Sequence, residues 1–207
     1  MAHKTVWLIR HGQTLGNEQK RYNGRGTDEP LSEEGIRQAR LAGKWIGQIM
    51  ASAGASLRVC ASPLKRAVQT ADLLFANPKI RQIEDLEEMD FGAFEGKSYE
   101  DLSGNPAYQA WIDSGGTLSF PGGETKEEFT RRCYRGFLTA LGDPDREETV
   151  AVVCHGGTIM AVMHALTGKD YYEFMTCNLG GYCLETETDD EGIHSFTYHG
   201  FDSGDPG

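Results

Sequence analysis

Short runs of β-branched and apolar residues punctuate this chain at 5–9, 57–61, 80–83 and 150–154, and each is bounded by turn-forming or polar residues. Longer stretches with a period near 3.6 residues lie between them. That alternation predicts an α/β sheet with helices on its faces. Two further runs, 181–186 and 195–198, read as strands closing the edge.

Ser32 caps a helix in which Ile36, Ala39, Gly43, Ile46 and Met50 share one face. A second helix is expected to start at Ser62-Pro63, with serine as cap and proline in the first turn, and to bury Leu64, Ala67, Val68, Ala71, Leu74 and Phe75. Thr125-Lys126-Glu127-Glu128 fits a capping box ahead of Phe129, Cys133, Phe137 and Leu141. A fourth helix follows Gly157 and stops at Gly168. Residues 92–123 carry glycine, proline and aromatics with weak periodicity, so they read as an inserted, irregular or short-helical segment beside the sheet, able to wall a pocket. The acidic stretch 186–192 reads as a hairpin turn, and no internal repeat is present.

At 207 residues, 39% of them hydrophobic and 25% charged, the chain is expected to form one domain over 1–207. The net charge of −11, with no Lys or Arg beyond Lys169, argues against nucleic acid and anionic membranes as partners. An anionic small molecule remains compatible if arginines gather in one pocket. Five cysteines without a CxxC pair read as reduced structural thiols. Residues 1–8 lack an apolar stretch behind a basic start, and nowhere do ~18 apolar residues run together. A cytoplasmic location is therefore expected.

Two strands end alike: one runs into Arg10-His11-Gly12, the other into His155-Gly156-Gly157. In a parallel α/β sheet the carboxyl ends of strands line the ligand crevice, so both histidines can face one ligand, and the glycines let backbone approach it. Arg66, in the first turn of the helix after residue 61, projects over the same edge, where a helix N-terminus already favours an anion. With Arg10 it can make a planar, multi-donor cradle that matches phosphate. The carboxylate-rich stretch 85–96 holds candidate proton donors that spacing alone does not separate.

Taken in order, Arg10-His11-Gly12, Asn17, Ser62-Pro63-Leu64-x-Arg66-Ala67-x-x-Thr70, Leu86-x-Glu88-x-x-Phe91-Gly92-x-x-Glu95-Gly96 and Val153-x-His155-Gly156-Gly157 resemble the histidine phosphatase superfamily, in the branch of phosphoglycerate mutase, the fructose-2,6-bisphosphatases and α-ribazole phosphatase. The resemblance implies a three-layer αβα sandwich, with a mostly parallel doubly wound sheet and an antiparallel edge strand. It implies His11 as nucleophile, Glu88 as proton donor, and His155, Arg10, Arg66, Asn17 and Gly156 around the phosphoryl group. Arg21, Tyr22, Asn23 and Gly24 match the loop that touches the rest of the substrate, and residues 121–125 match a segment found in phosphatase members. Phe94 stands where many members carry tryptophan, and Cys154 where many carry a small hydroxyl residue. The implied activity is hydrolysis of a small phosphorylated metabolite through a phosphohistidine, with α-ribazole 5'-phosphate among the candidates. Neither metal nor cofactor is expected, and a homodimer is among the expected states. The chemistry asks for His11 held neutral by nearby cations, a protonated His155, and a Glu88 whose carboxyl is raised toward neutrality.

Three rival readings share parts of this pattern. Cys60 and Arg66 fit the Cx5R loop of cysteine phosphatases, although Pro63 removes a backbone donor and Cys60 lies in an apolar run. A cofactor-dependent phosphoglycerate mutase shares the whole catalytic set, but the chain is short for its substrate-capping insertions. A catalytically inactive phosphate-binding regulator is disfavoured by the full set of reactive residues. The remaining histidines, His3, His164, His194 and His199, have no ligand spacing and read as surface or packing residues.

Overall fold

The computed structural model describes residues 2–52, 57–143, 145–190 and 192–202. Its strands are β1 (Ala2–Arg10), β2 (Leu57–Ala61), β3 (Ile80–Gln82), β4 (Glu148–Cys154), β5 (Gly181–Asp189) and β6 (Gly192–Phe201). Its α-helices are α1 (Leu15–Glu18), α2 (Glu33–Ser52), α3 (Lys65–Phe75), α4 (Pro106–Asp113), α5 (Lys126–Leu141) and α6 (Gly156–Thr167). The strands form one sheet in the order β3-β2-β4-β1-β5-β6. The first four run parallel, while β5 and β6 are antiparallel, so the antiparallel edge is a two-stranded hairpin.

Successive residues of β1 point to opposite faces, and both faces are covered. Val6 and Leu8 enter a core with Phe129, Cys133 and Phe137 of α5 and Ile159 and Met163 of α6. Trp7 and Ile9 enter the other, with Ala39, Ala42 and Ile46 of α2 and Ala67, Ala71 and Leu74 of α3. Burial from both sides is why 150–154 is a continuous apolar run rather than an alternating one. The side chain of Met50, expected on the inner face of α2, lies outside the described residues.

Thr125 caps α5 through the expected capping box, with Glu128 reaching back to its N–H. Helix α6 ends at Gly168 in the left-handed conformation. The start of α3 differs from expectation: its N-cap is Leu64, without a side-chain cap, and the Ser62 hydroxyl, two residues earlier, accepts from this turn only the Leu64 N–H, at 3.4 Å, while lying 2.8 Å from His155 Nε2. The hairpin strands also outrun the sequence pattern, so the expected turn at 186–192 contracts to the residues between Asp189 and Gly192. Of these, Glu191 lies outside the described residues. Within 92–123 the chain makes a 3-10 turn (Gly92–Phe94) and α4, capped by the Asn105 side chain. No helix among the described residues is long and apolar enough to cross a membrane.

Candidate active site

Strand register brings the two histidines together. Arg10 pairs with Cys154 across β1 and β4, so the next residues, His11 and His155, leave the sheet side by side. Their rings meet edge to face at 5.2 Å between centroids. Strand β2 ends beside them, where the Ser62 N–H donates to Val153 O at 3.0 Å and the Ser62 hydroxyl lies 2.8 Å from His155 Nε2.

Hydrogen bonding fixes the tautomers. His11 Nδ1 lies 2.7 Å from Gly12 O. A carbonyl only accepts, so Nδ1 carries the proton and Nε2 keeps its lone pair for a ligand. His155 Nδ1 accepts from Arg66 Nε at 3.2 Å, which leaves the hydrogen on Nε2. Burial, with the nearby cations Arg66 and Arg10, holds both histidines well below the usual imidazole range. The expected protonated His155 is therefore corrected: with a guanidinium donating to Nδ1 in a fully buried site, the imidazole is neutral. Burial also raises the Glu88 carboxyl above the ordinary value, against the lowering effect of N–H donors from Met89 (2.9 Å) and Gly157 (3.0 Å) and of Arg66 and Arg10.

These residues meet at a pocket of about 330 Å³. Arg10, His11, Asn17, Arg21, Tyr22, Asn23, Glu88 and Gly156 line it. Three expected members stand behind the wall. His155 is 0% exposed and Arg66 is 1% exposed. The Arg66 guanidinium is occupied by Thr27 O, Asn23 O and Gly24 O at 2.7–3.1 Å. Gly24 serves the loop rather than the pocket: its N–H donates to Glu95, and a Cβ there would come within 2.0 Å of Met89 O. At the rim, the Arg21 Nη1 donates to Gly96 O at 2.6 Å.

Two residues to which the sequence reading gave no role at the site complete the arrangement. Ser62, expected as a helix cap, instead faces His155. Asn178 donates from Nδ2 to His11 O at 2.9 Å and to Asn17 Oδ1 at 3.2 Å. Because Asn17 Oδ1 also accepts from the Thr14 N–H at 3.2 Å, the amide is turned so that its NH2 is left for a ligand. A lone asparagine before a strand carries no pattern, so only the fold could reveal it. Gly157 is demanded by close approach, since a Cβ would sit 2.2 Å from Glu88 Oε1.

The Cx5R alternative does not fit this geometry. Cys60 is 0% exposed within β2, and burial pushes its thiol up to about 11, leaving no thiolate nucleophile. Among the described residues no three His, Cys, Asp or Glu side chains converge as a metal cage.

Comparison with known proteins places this geometry among relatives. The model of the "Histidine phosphatase superfamily (branch 1)" matches residues 6–196. The chain is 32% identical over 181 residues to the uncharacterized phosphatase PhoE of Bacillus subtilis, covering 86% of this chain and 85% of that one. It is 30% identical over 167 residues to the adenosylcobalamin/alpha-ribazole phosphatase of Escherichia coli, covering 79% of each. Some other curated relatives are longer, and the chain spans 40–50% of their length. Among solved structures, a mycobacterial glucosyl-3-phosphoglycerate phosphatase superposes with a TM-score of 0.78 at 25% identity, covering 97% of this chain and 99% of that one.

Proposed function

Because this chain belongs to the histidine phosphatase superfamily, branch 1, and is a phosphoric monoester hydrolase, we propose that it hydrolyses a small phosphorylated metabolite through a phosphohistidine on His11, without a metal or other cofactor. One observation carries the reading: His11 is locked in the tautomer that offers Nε2, beside Arg10 and within a pocket that also holds a carboxyl raised by burial.

Phosphate monoesters resist attack because the dianion repels nucleophiles and an alkoxide leaves poorly. Arg10, the freed NH2 of Asn17 and the Gly156 N–H at the start of α6 take the phosphoryl oxygens, with the helix end adding its positive field. Arg66 and His155 complete the cradle from behind, the neutral His155 exchanging its Nε2–H bond with Ser62 for one to the phosphoryl group. His11 Nε2 bonds to phosphorus as the ester P–O bond breaks, and protonated Glu88 gives its proton to the leaving oxygen. The resulting carboxylate then takes a proton from water as that water's oxygen attacks phosphorus, which releases inorganic phosphate and restores His11. Arg21, Tyr22 and Asn23 border the organic part of the substrate, and α-ribazole 5'-phosphate is one candidate. The whole of 1–207 is read as a single domain working in the cytoplasm, with 92–123 as the wall over the site.

The test is trapping. Brief exposure to a 32P-labelled monoester should leave acid-labile, alkali-stable label on the protein, absent in His11→Ala, and turnover should persist in excess chelator. Normal turnover by His11→Ala would end the proposal. Transfer from bisphosphoglycerate to 3-phosphoglycerate faster than release of phosphate would replace hydrolase by mutase.

A further inference from the structure

The pocket that holds His11 extends outward beyond the room a phosphoryl group needs, and its character changes on the way. The inner end is polar. The outer end is aromatic, lined by a cluster of Tyr22, Phe91, Trp111 and Phe120 and by the adjoining pair Tyr171 and Tyr172. The cluster is preorganised: ring centroids lie 5.3 Å apart for Tyr22 and Phe91, 5.0 Å for Phe91 and Phe120, and 5.1 Å for Trp111 and Phe120. These are the separations of rings packed edge to face or tilted, so the wall does not have to be built when a ligand arrives.

Several polar atoms at this end are already engaged, while Trp111 Nε1 is buried without a hydrogen-bond partner. The Tyr22 and Tyr108 hydroxyls bond each other at 2.9 Å, and the Tyr171 hydroxyl donates to Gly157 O at 3.1 Å. Glu124 is paired with Arg132 at 2.7 Å, and the Lys126 ammonium lies over the Tyr171 and Tyr172 rings at 4.7 and 5.4 Å. A polyhydroxylated organic group placed here would set most of its hydroxyls against ring carbon, with few unengaged partners, whereas a flat ring would meet ring faces and edges. Gly116 lets the backbone pass close to both Tyr172 and Trp111. Its φ is +76°, and a Cβ there would stand 2.5 Å from the Tyr172 hydroxyl and 3.3 Å from the Trp111 ring.

We infer that the outer half of this pocket is an aryl-binding site, so that the substrate is a phosphomonoester whose alcohol portion carries an aromatic ring. The inference rests on the phosphomonoesterase reading and deepens it, with Trp111 and Tyr172 as the residues that set specificity. An aliphatic or sugar phosphate satisfies the inner end of the pocket but leaves the outer end wet.

The experiment compares kcat/KM for 2-phenylethyl phosphate and ethyl phosphate. Their alcohols leave about equally well, so the ratio reads the binding of the ring rather than the chemistry. The ratio is expected to exceed about tenfold in the natural protein. It should fall toward one in Trp111→Ala, be largely retained in Trp111→Phe, and fall again in Tyr172→Ala. Tyr172 is 42% exposed, which makes that variant a check independent of any packing defect at Trp111. A ratio near one in the natural protein, or a ratio that neither alanine substitution moves, overturns the aryl site while leaving the hydrolase reading intact. Hydrolysis of neither ester overturns the hydrolase reading, and the aryl site with it.

Discussion

At the scale of single residues, the site is a set of imposed protonation states. Buried Glu88 has its carboxyl raised, so it stays protonated above the usual carboxylate value of 4.5, and the acid needed for the leaving oxygen is lost only as pH climbs through that raised value. His11, held low, stays neutral down to a pH below 6.5, and the nucleophile is lost only beneath that. The kcat/KM profile should therefore be a bell with both limbs displaced in these directions. Glu88→Gln should lower turnover by about 10²- to 10⁴-fold and remove the alkaline limb; an unchanged limb in that variant would assign it to another group. Asn178→Ala removes the donor that holds His11 O and turns the Asn17 amide. We expect kcat/KM to fall by up to about 100-fold with little change in melting temperature, as read by steady-state assay beside thermal unfolding.

At the scale of elements, several pieces of secondary structure end or begin where the site needs a group, as β1 does before His11 and β4 before His155. Thr125 holds α5 in place by its capping box, and Lys126 at the pocket rim follows directly. Thr125→Ala should cost about 1 kcal/mol in urea unfolding. Much of this was legible beforehand: 150–154 is apolar because β4 is covered on both faces, and the paired His-Gly endings followed from parallel strands. What escaped the sequence did so for physical reasons. Ser62-Pro63 has the composition of a helix start, but the hydroxyl faces an imidazole that only the β2–β4 pairing brings near. Arg66 was legible as a phosphate-binding candidate, but not its near-complete burial, which needs the 23–27 loop to fold over it and supply carbonyls. Strand β6 is half solvated at the sheet edge, so its apolar residues mark only part of its length.

For the molecule as a whole, the buried neutral histidines link catalysis to stability. Their folded values lie well below the 6.5 of an exposed imidazole, so beneath that pH the unfolded chain binds more protons than the folded one. Stability that is complete above about pH 6.5 should decline as pH falls through the folded values. Unfolding free energies measured from pH 7.5 to 5 should slope downward in the natural protein and less steeply in His11→Asn. Equal slopes would place the linkage elsewhere. The pairing of Arg10 with Cys154 carries a consequence for how this protein comes into being. Strand β1, which bears one half of the reactive pair, leaves the ribosome long before β4, which bears the other. No nascent chain that stops short of β4 can assemble the pair, so the power to take a phosphoryl group arrives only once β4 has been made.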